Sequence, residues 1–114
     1  MQIGIIGLGY VGLPLAVAFA EAGCEVTGLD VDEAKVEALN TGRSYIEDVP
    51  DTVLAPVAEK LRATTDYAEL AACDAVILCV PTPLSDSREP DLGPLEASAR
   101  ALAQVLRSGQ LVVL

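Results

Sequence analysis

The sequence contains no histidine and no tryptophan, and its aromatics are three tyrosines and one phenylalanine. Without an imidazole the chain offers neither a His general base nor a His metal ligand. Positive charge is also scarce: seven Lys and Arg stand against seventeen Asp and Glu, a net charge of −10. That balance repels a phosphate backbone and disfavours anionic bilayers, so no nucleic acid and no membrane is expected as a partner. Cysteine is limited to Cys24, Cys73 and Cys79, an odd set without a CxxC pair. Free thiols in a reducing, cytoplasmic compartment fit that pattern, and no metal site is expected. None of the three has a basic neighbour or a helix N-terminus to activate it, so all three are expected in the core.

Length adds a further exclusion. A chain of 114 residues holds one domain, not separate cofactor and substrate lobes. A mean hydropathy of +0.44 leaves ample apolar surface to bury and excludes disorder. Met1 to Ala20 carry no charged side chain. A signal peptide or membrane span is nevertheless not expected there, because no basic residue precedes Lys35. Gly4, Gly7, Gly9, Gly12 and Pro14 also suit a tight turn better than a lipid-facing helix.

What is present alternates in type. Gln2 to Ile6 is a short apolar run that fits a buried strand. Val11 to Ala22 reads as a helix, apolar nearly all round and closed by Gly23. Glu25 to Leu29 predicts a second strand, and Asp32 to Leu39 a second helix with acids in its first turn. Arg43 to Val49 is expected as an ordered loop, Pro50 to Lys60 as a helix, Leu61 to Thr65 as a third strand, and Asp66 to Ala72 as one or two helical turns. Asp74 to Val80 is the clearest buried strand. Proline, Asp and Ser mark Pro81 to Gly93 as a loop. Pro94 to Arg107 predicts an amphipathic helix and Gln110 to Leu114 a fifth apolar strand. Strands alternating with helices imply parallel βαβ units with right-handed crossovers. The expected fold is α/β: a Rossmann-type, doubly wound parallel sheet of about five strands in three layers, αβα.

Gly7-Leu8-Gly9-Tyr10-Val11-Gly12 fits G-x-G-x-x-G between the first strand and the first helix. Gly7 permits the sharp turn, Gly9 lets the backbone approach a pyrophosphate, and Gly12 lets the helix pack closely on the strand. Amides at the start of that helix would then face the phosphates. Asp30 closes the second strand 18 residues after Gly12, near the spacing expected of an acid that binds the adenosine ribose. Its charge would repel a 2′-phosphate and favour NAD over NADP. Lys35, one turn into the next helix, lies within reach of the same ribose. The fourth strand ends in Cys79-Val80-Pro81-Thr82-Pro83 beside the first, at the carboxyl edge where ligands of open parallel sheets lie. Val80, Pro81 and Thr82 are therefore candidate cofactor contacts.

GLGYVGLPLAVAFAEAG, GLDVDEAKVEALNTGRSYIEDV and DAVILCVPTPLSDSREPDL together resemble the N-terminal domain of the UDP-glucose/GDP-mannose dehydrogenase family. The combination of GYVGLP with CVPTP is far more specific than GxGxxG. The resemblance implies a nucleotide-sugar 6-dehydrogenase that oxidises the C6 alcohol to a carboxylate in two hydride transfers to two NAD⁺. It implies that Gly7 to Gly12, Tyr10 and Val11 included, take the pyrophosphate. Asp30 and Lys35 take the ribose, and Val80 to Thr82 line the cofactor cleft. Ser44 to Val49 looks more like the N-acetylhexosamine branch than the glucose branch. The family's catalytic Cys, Lys, Asn and Asp lie in segments absent from this chain, so no catalytic residue is carried over. The nucleotide-sugar substrate is expected to bind through a downstream domain, and the full-length protein is expected to be a homo-oligomer. Because Leu111 to Leu114 lie within an expected core strand, residues 1–114 are expected to be a domain truncated at its C-terminal end. Two other readings share the first βαβ unit: an NAD-sensing module of the potassium-transport gating type, and a β-hydroxyacid-type dehydrogenase. The first has no reason to carry CVPTP, and the second usually has Met where this chain has Val11.

Overall fold

The computed structural model describes residues 1–81 and 86–114. Five strands, β1 (Gln2–Ile6), β2 (Glu25–Leu29), β3 (Leu61–Thr64), β4 (Ala75–Leu78) and β5 (Leu111–Val113), form one sheet in the order β3-β2-β1-β4-β5. Every pairing is parallel. The helices are α1 (Gly12–Glu21), α2 (Glu33–Asn40), α3 (Asp51–Leu54) and α4 (Gly93–Ala103). The doubly wound architecture expected from the alternating pattern is therefore the one observed, and β1 and β2 have the bounds read from the sequence.

Both faces of the sheet are covered at its central strands, which is why those strands are apolar runs rather than alternations. On one face Ile3, Ile5 and Val26 pack against Leu13, Ala16 and Val17 of α1. Leu39, Ile46 and Leu54 extend that layer. On the other, Ile6, Leu29, Val76 and Leu78 meet Leu70, Cys73 and Leu102. Gly4 faces this second layer because a Cβ there would lie 2.9 Å from Leu70 Cδ2.

Local chemistry sets the element ends. Asp32 caps α2 by accepting from the Ala34 N–H at 2.9 Å. Asp66 does the same through Ala68 for a 3-10 segment, Tyr67–Ala72. The expected helix from Pro50 to Lys60 is broken into α3 and a 3-10 turn, Ala55–Val57. Pro56 is the physical reason, since it has no N–H for an α-helical bond. The outer edge of β3 is occupied by the Asn40 side chain, which donates to the Ala63 carbonyl and accepts from the Ala63 N–H, both at 2.9 Å. It completes both backbone bonds that a further strand would have made.

Two burial expectations need correction. The fifth strand forms, but it is not a core strand: Leu111 is 61% exposed and Val113 40%, because among the described residues β5 packs mainly against β4 and no helix covers it. Of the cysteines only Cys73 is fully buried, while Cys24 and Cys79 are partly exposed at the margin of the core. Among the described residues no helix is long and apolar enough to cross a membrane.

Candidate cofactor site

The turn between β1 and α1 sits where the strand order reverses, β2 and β3 lying on one side of β1 and β4 and β5 on the other. The Gly7 N–H donates to the Leu29 carbonyl of β2 at 2.8 Å, and the Cys79 N–H donates to the Ile6 carbonyl at 2.7 Å. The carboxyl ends of β2 and β4 thus grip the turn from both sides. Gly7 has φ +94°, and a Cβ there would lie 2.7 Å from the Cys79 carbonyl oxygen. A Cβ at Gly12 would lie 1.6 Å from the Gly7 carbonyl oxygen. Both positions are closed to any side chain by neighbouring backbone.

Gly9 is different. A Cβ there would meet nothing within 4 Å, so the protein itself does not require glycine at this position. Space left beside a bare backbone is what a phosphate needs for close approach. Among the described residues the N–H groups of Gly9, Tyr10 and Val11 have no protein acceptor. Val11, at the N-cap of α1, makes no side-chain cap, and the first turn carries no acid. An uncapped N-terminus with free amides and the positive end of the helix dipole is suited to an anion.

Asp30 lies beside this turn and already holds part of it. Its Oδ2 accepts from the Leu8 N–H at 2.9 Å, and its Oδ1 from the Asp32 N–H at 2.9 Å. Each carboxylate oxygen keeps a further lone pair for a ribose hydroxyl. Asp30 is not the cap of α2, a role that Asp32 fills.

A cleft of about 620 Å³ opens here, bordered by Gly7, Asp30, Val31, Val80 and Pro81. Its far wall is α4, through Pro94, Ala97, Ser98 and Ala101, with Tyr67 also lining it. A second groove of about 430 Å³ runs along Gly9, Tyr10, Ala34 and Tyr45. Asp32 and Lys35 border both. The structure thus gathers Gly7, Gly9, Tyr10, Val11, Gly12, Asp30, Lys35, Val80 and Pro81 around one switch point, while Thr82 lies outside the described residues.

Two tyrosines escaped the sequence reading of the site. Tyr67 lines the cleft from the 3-10 segment before β4. Tyr45, in the loop before α3, donates its hydroxyl to the Leu8 carbonyl at 2.5 Å. Lys35 Nζ lies 5.5 Å from the centroid of the Tyr45 ring, within cation–π range. Burial, with Asp30 and then Asp32 nearby, pushes the Tyr45 phenol well above its ordinary range, so it remains a donor at physiological pH. No local period announces either residue. The signal available for Tyr45 was its place in the SYIEDV run. Burial also pushes the Cys79 thiol up and, as the largest influence, the Cys73 thiol.

A parallel sheet with a glycine turn, free helix-terminal amides and an acid at the end of β2 defines a dinucleotide-binding domain. Comparison with known proteins narrows the class. Residues 1–114 match the model of the UDP-glucose/GDP-mannose dehydrogenase family, NAD binding domain, and the chain belongs to that family. It is 45% identical, over 98% of its length, to the NDP-N-acetyl-D-galactosaminuronic acid dehydrogenase of Ralstonia nicotianae, of which it covers 26%. It is 41% identical, over 93% of its length, to the UDP-glucose 6-dehydrogenase of Haloferax volcanii, of which it covers 25%. The crystal structure of a ternary complex of GDP-mannose dehydrogenase from Pseudomonas aeruginosa superposes with a TM-score of 0.92 at 33% identity. That match covers 98% of this chain and 27% of the other. The chain therefore spans about a quarter of the length of the relatives it matches. The cofactor of this domain family is NAD, and neither the potassium-gating nor the β-hydroxyacid reading is favoured by a family match over residues 1–114.

Proposed function

We propose that this chain holds NAD⁺ for a nucleotide-sugar 6-dehydrogenase, with the pyrophosphate at Gly9, Tyr10 and Val11 and the adenosine ribose at Asp30 and Lys35. The observation that carries this reading is the division among the three glycines. Gly7 and Gly12 are fixed by protein contacts, whereas a Cβ at Gly9 would meet nothing within 4 Å, next to amides that have no protein acceptor among the described residues. Val80, Pro81 and α4 line the cleft beyond Asp30, and Thr82, next in the sequence, is the further contact proposed there. Bound there, NAD⁺ supplies the hydride acceptor for oxidation of the sugar C6 alcohol to a carboxylate, two NAD⁺ being reduced per sugar. The residues of this chain bind and orient it. The Asp30 carboxylate pairs with hydroxyls and repels a 2′-phosphate. The fold of the turn fixes the backbone that carries these amides, so little ordering is required on binding.

The reacting sugar and the catalytic side chains belong to the remainder of a longer protein. The substrate is a UDP-N-acetylhexosamine or UDP-glucose type sugar, a choice supported by the two curated relatives described above and by the SYIEDV run. The full-length protein acts as a homo-oligomer in the cytoplasm. The test is NADH formation by the full-length protein across a panel of UDP- and GDP-sugars. Two NADH per sugar consumed, with NAD⁺ and not NADP⁺, is expected. No turnover on any nucleotide sugar would overturn this assignment.

A further inference from the structure

We propose that Tyr45 is a positioning residue for the pyrophosphate. Its hydroxyl holds the Leu8 carbonyl and thereby aims the Gly9 N–H outward from the turn. This role rests on the assignment of the turn as the NAD⁺ site. In a trans peptide the carbonyl and the following N–H point in opposite directions across one rigid plane. Fixing the Leu8 carbonyl from below therefore fixes the Gly9 N–H above. Among the described residues that N–H has no protein acceptor, and a Cβ at Gly9 would meet nothing within 4 Å.

The neighbouring peptide is fixed as well. The Leu8 N–H is held by Asp30 Oδ2 at 2.9 Å, so Asp30 and Tyr45 clamp Leu8 at its two backbone polar groups. Donation to a carbonyl also polarises the attached N–H and makes it a better donor to an anion. The loop that carries Tyr45 is anchored for this task. Ile46 and Val49 are buried on either side of the loop tip, and the Ser44 N–H donates to Asp51 Oδ1 at 2.7 Å. Lys35, over the Tyr45 ring, is held toward the same site. The tie spans 37 residues, so it links the loop after α2 directly to the phosphate turn. A tyrosine needed only for packing would not require its hydroxyl on that one carbonyl.

Tyr45→Phe keeps the ring, its packing and the Lys35 contact and removes only the hydroxyl. The protein is labelled with ¹⁵N, and the variant is compared with the unsubstituted chain by amide spectra and by titration with NAD⁺, ADP and adenosine. Upfield movement of the Gly9 amide proton is expected. Affinity for NAD⁺ and ADP should fall about 3- to 10-fold, the range of one neutral hydrogen bond, with adenosine changed less than about twofold. Normal NAD⁺ binding by the variant with an unmoved Gly9 signal would overturn the role of Tyr45 alone. An equal loss for adenosine and NAD⁺ would also overturn it, since that marks general loosening. Failure of the unsubstituted protein to bind NAD⁺ or ADP would instead overturn the site assignment beneath it.

Discussion

Replacing each glycine of the turn by alanine separates fold from function, because the three positions differ in what a methyl group would meet. At Gly7 an alanine must hold φ +94°, which costs about 1–2 kcal/mol. Its Cβ would also lie 2.7 Å from the Cys79 carbonyl oxygen, and relieving such backbone crowding costs a further 1–3 kcal/mol or so. Gly7→Ala should therefore lose roughly 2–5 kcal/mol of the 5–15 kcal/mol typical of a domain. Gly12→Ala should lose more, since 1.6 Å from the Gly7 oxygen is no contact at all and α1 must move away from β1. Gly9→Ala has open space and no left-handed backbone to maintain. Its stability should be unchanged or higher by up to about 1 kcal/mol, because alanine restricts the unfolded chain. Its methyl group stands where the phosphate would approach, so NAD⁺ affinity should fall at least about tenfold, or 1.4 kcal/mol. Urea unfolding followed by circular dichroism, paired with calorimetric NAD⁺ titration, measures both quantities. A Gly9→Ala protein as destabilised as Gly7→Ala, or one that binds NAD⁺ normally, would refute the reasoning.

Other perturbations follow from individual contacts. Asp30→Asn removes the charge and leaves one of the Leu8 or Asp32 amides without its acceptor, so stability should fall by about 1–2 kcal/mol. The preference for NAD⁺ over NADP⁺ should narrow in parallel titrations, and an undiminished preference would contradict the role given to this carboxylate. The Tyr45 phenol is raised above its ordinary 10.0, so its stabilising contribution is complete below pH 10 and is lost as pH rises beyond it. Urea midpoints of the unsubstituted protein should therefore drop more steeply above pH 10 than those of Tyr45→Phe, whereas parallel curves would argue against the tie. Asn40→Asp cannot donate to the Ala63 carbonyl and sets a charge beside it, which should cost about 1–3 kcal/mol in thermal or urea unfolding. An unchanged midpoint would show that the β3 edge does not depend on that side chain.

Much of this architecture is local enough to be legible in the sequence. Gln2–Ile6 and Glu25–Leu29 are short apolar runs bounded by Gly7 and Asp30, and nothing in their surroundings competes with a strand. The turn is equally plain, because Gly7 and Gly12 each meet neighbouring backbone that excludes a side chain. The errors have one local and several distant causes. Helix propensity over Pro50 to Lys60 suggested one helix, but Pro56 leaves it as α3 and a 3-10 turn. The exposure of β5 depends on which elements pack over it, which its own residues do not encode. The double duty of Asp30, and the reach of Tyr45 across 37 residues to Leu8, arise only once β1, β2 and the loop after α2 are brought together.

The central claim is that the cleft beside Gly9 and Asp30 takes NAD⁺ and refuses a 2′-phosphate. Side-by-side calorimetric titration of this protein with NAD⁺ and NADP⁺ tests it most directly. NAD⁺ should bind with an affinity that Gly9→Ala removes, and NADP⁺ should bind at least about tenfold more weakly. Selective binding of NADP⁺, or NAD⁺ binding indifferent to the methyl at position 9, would contradict the account.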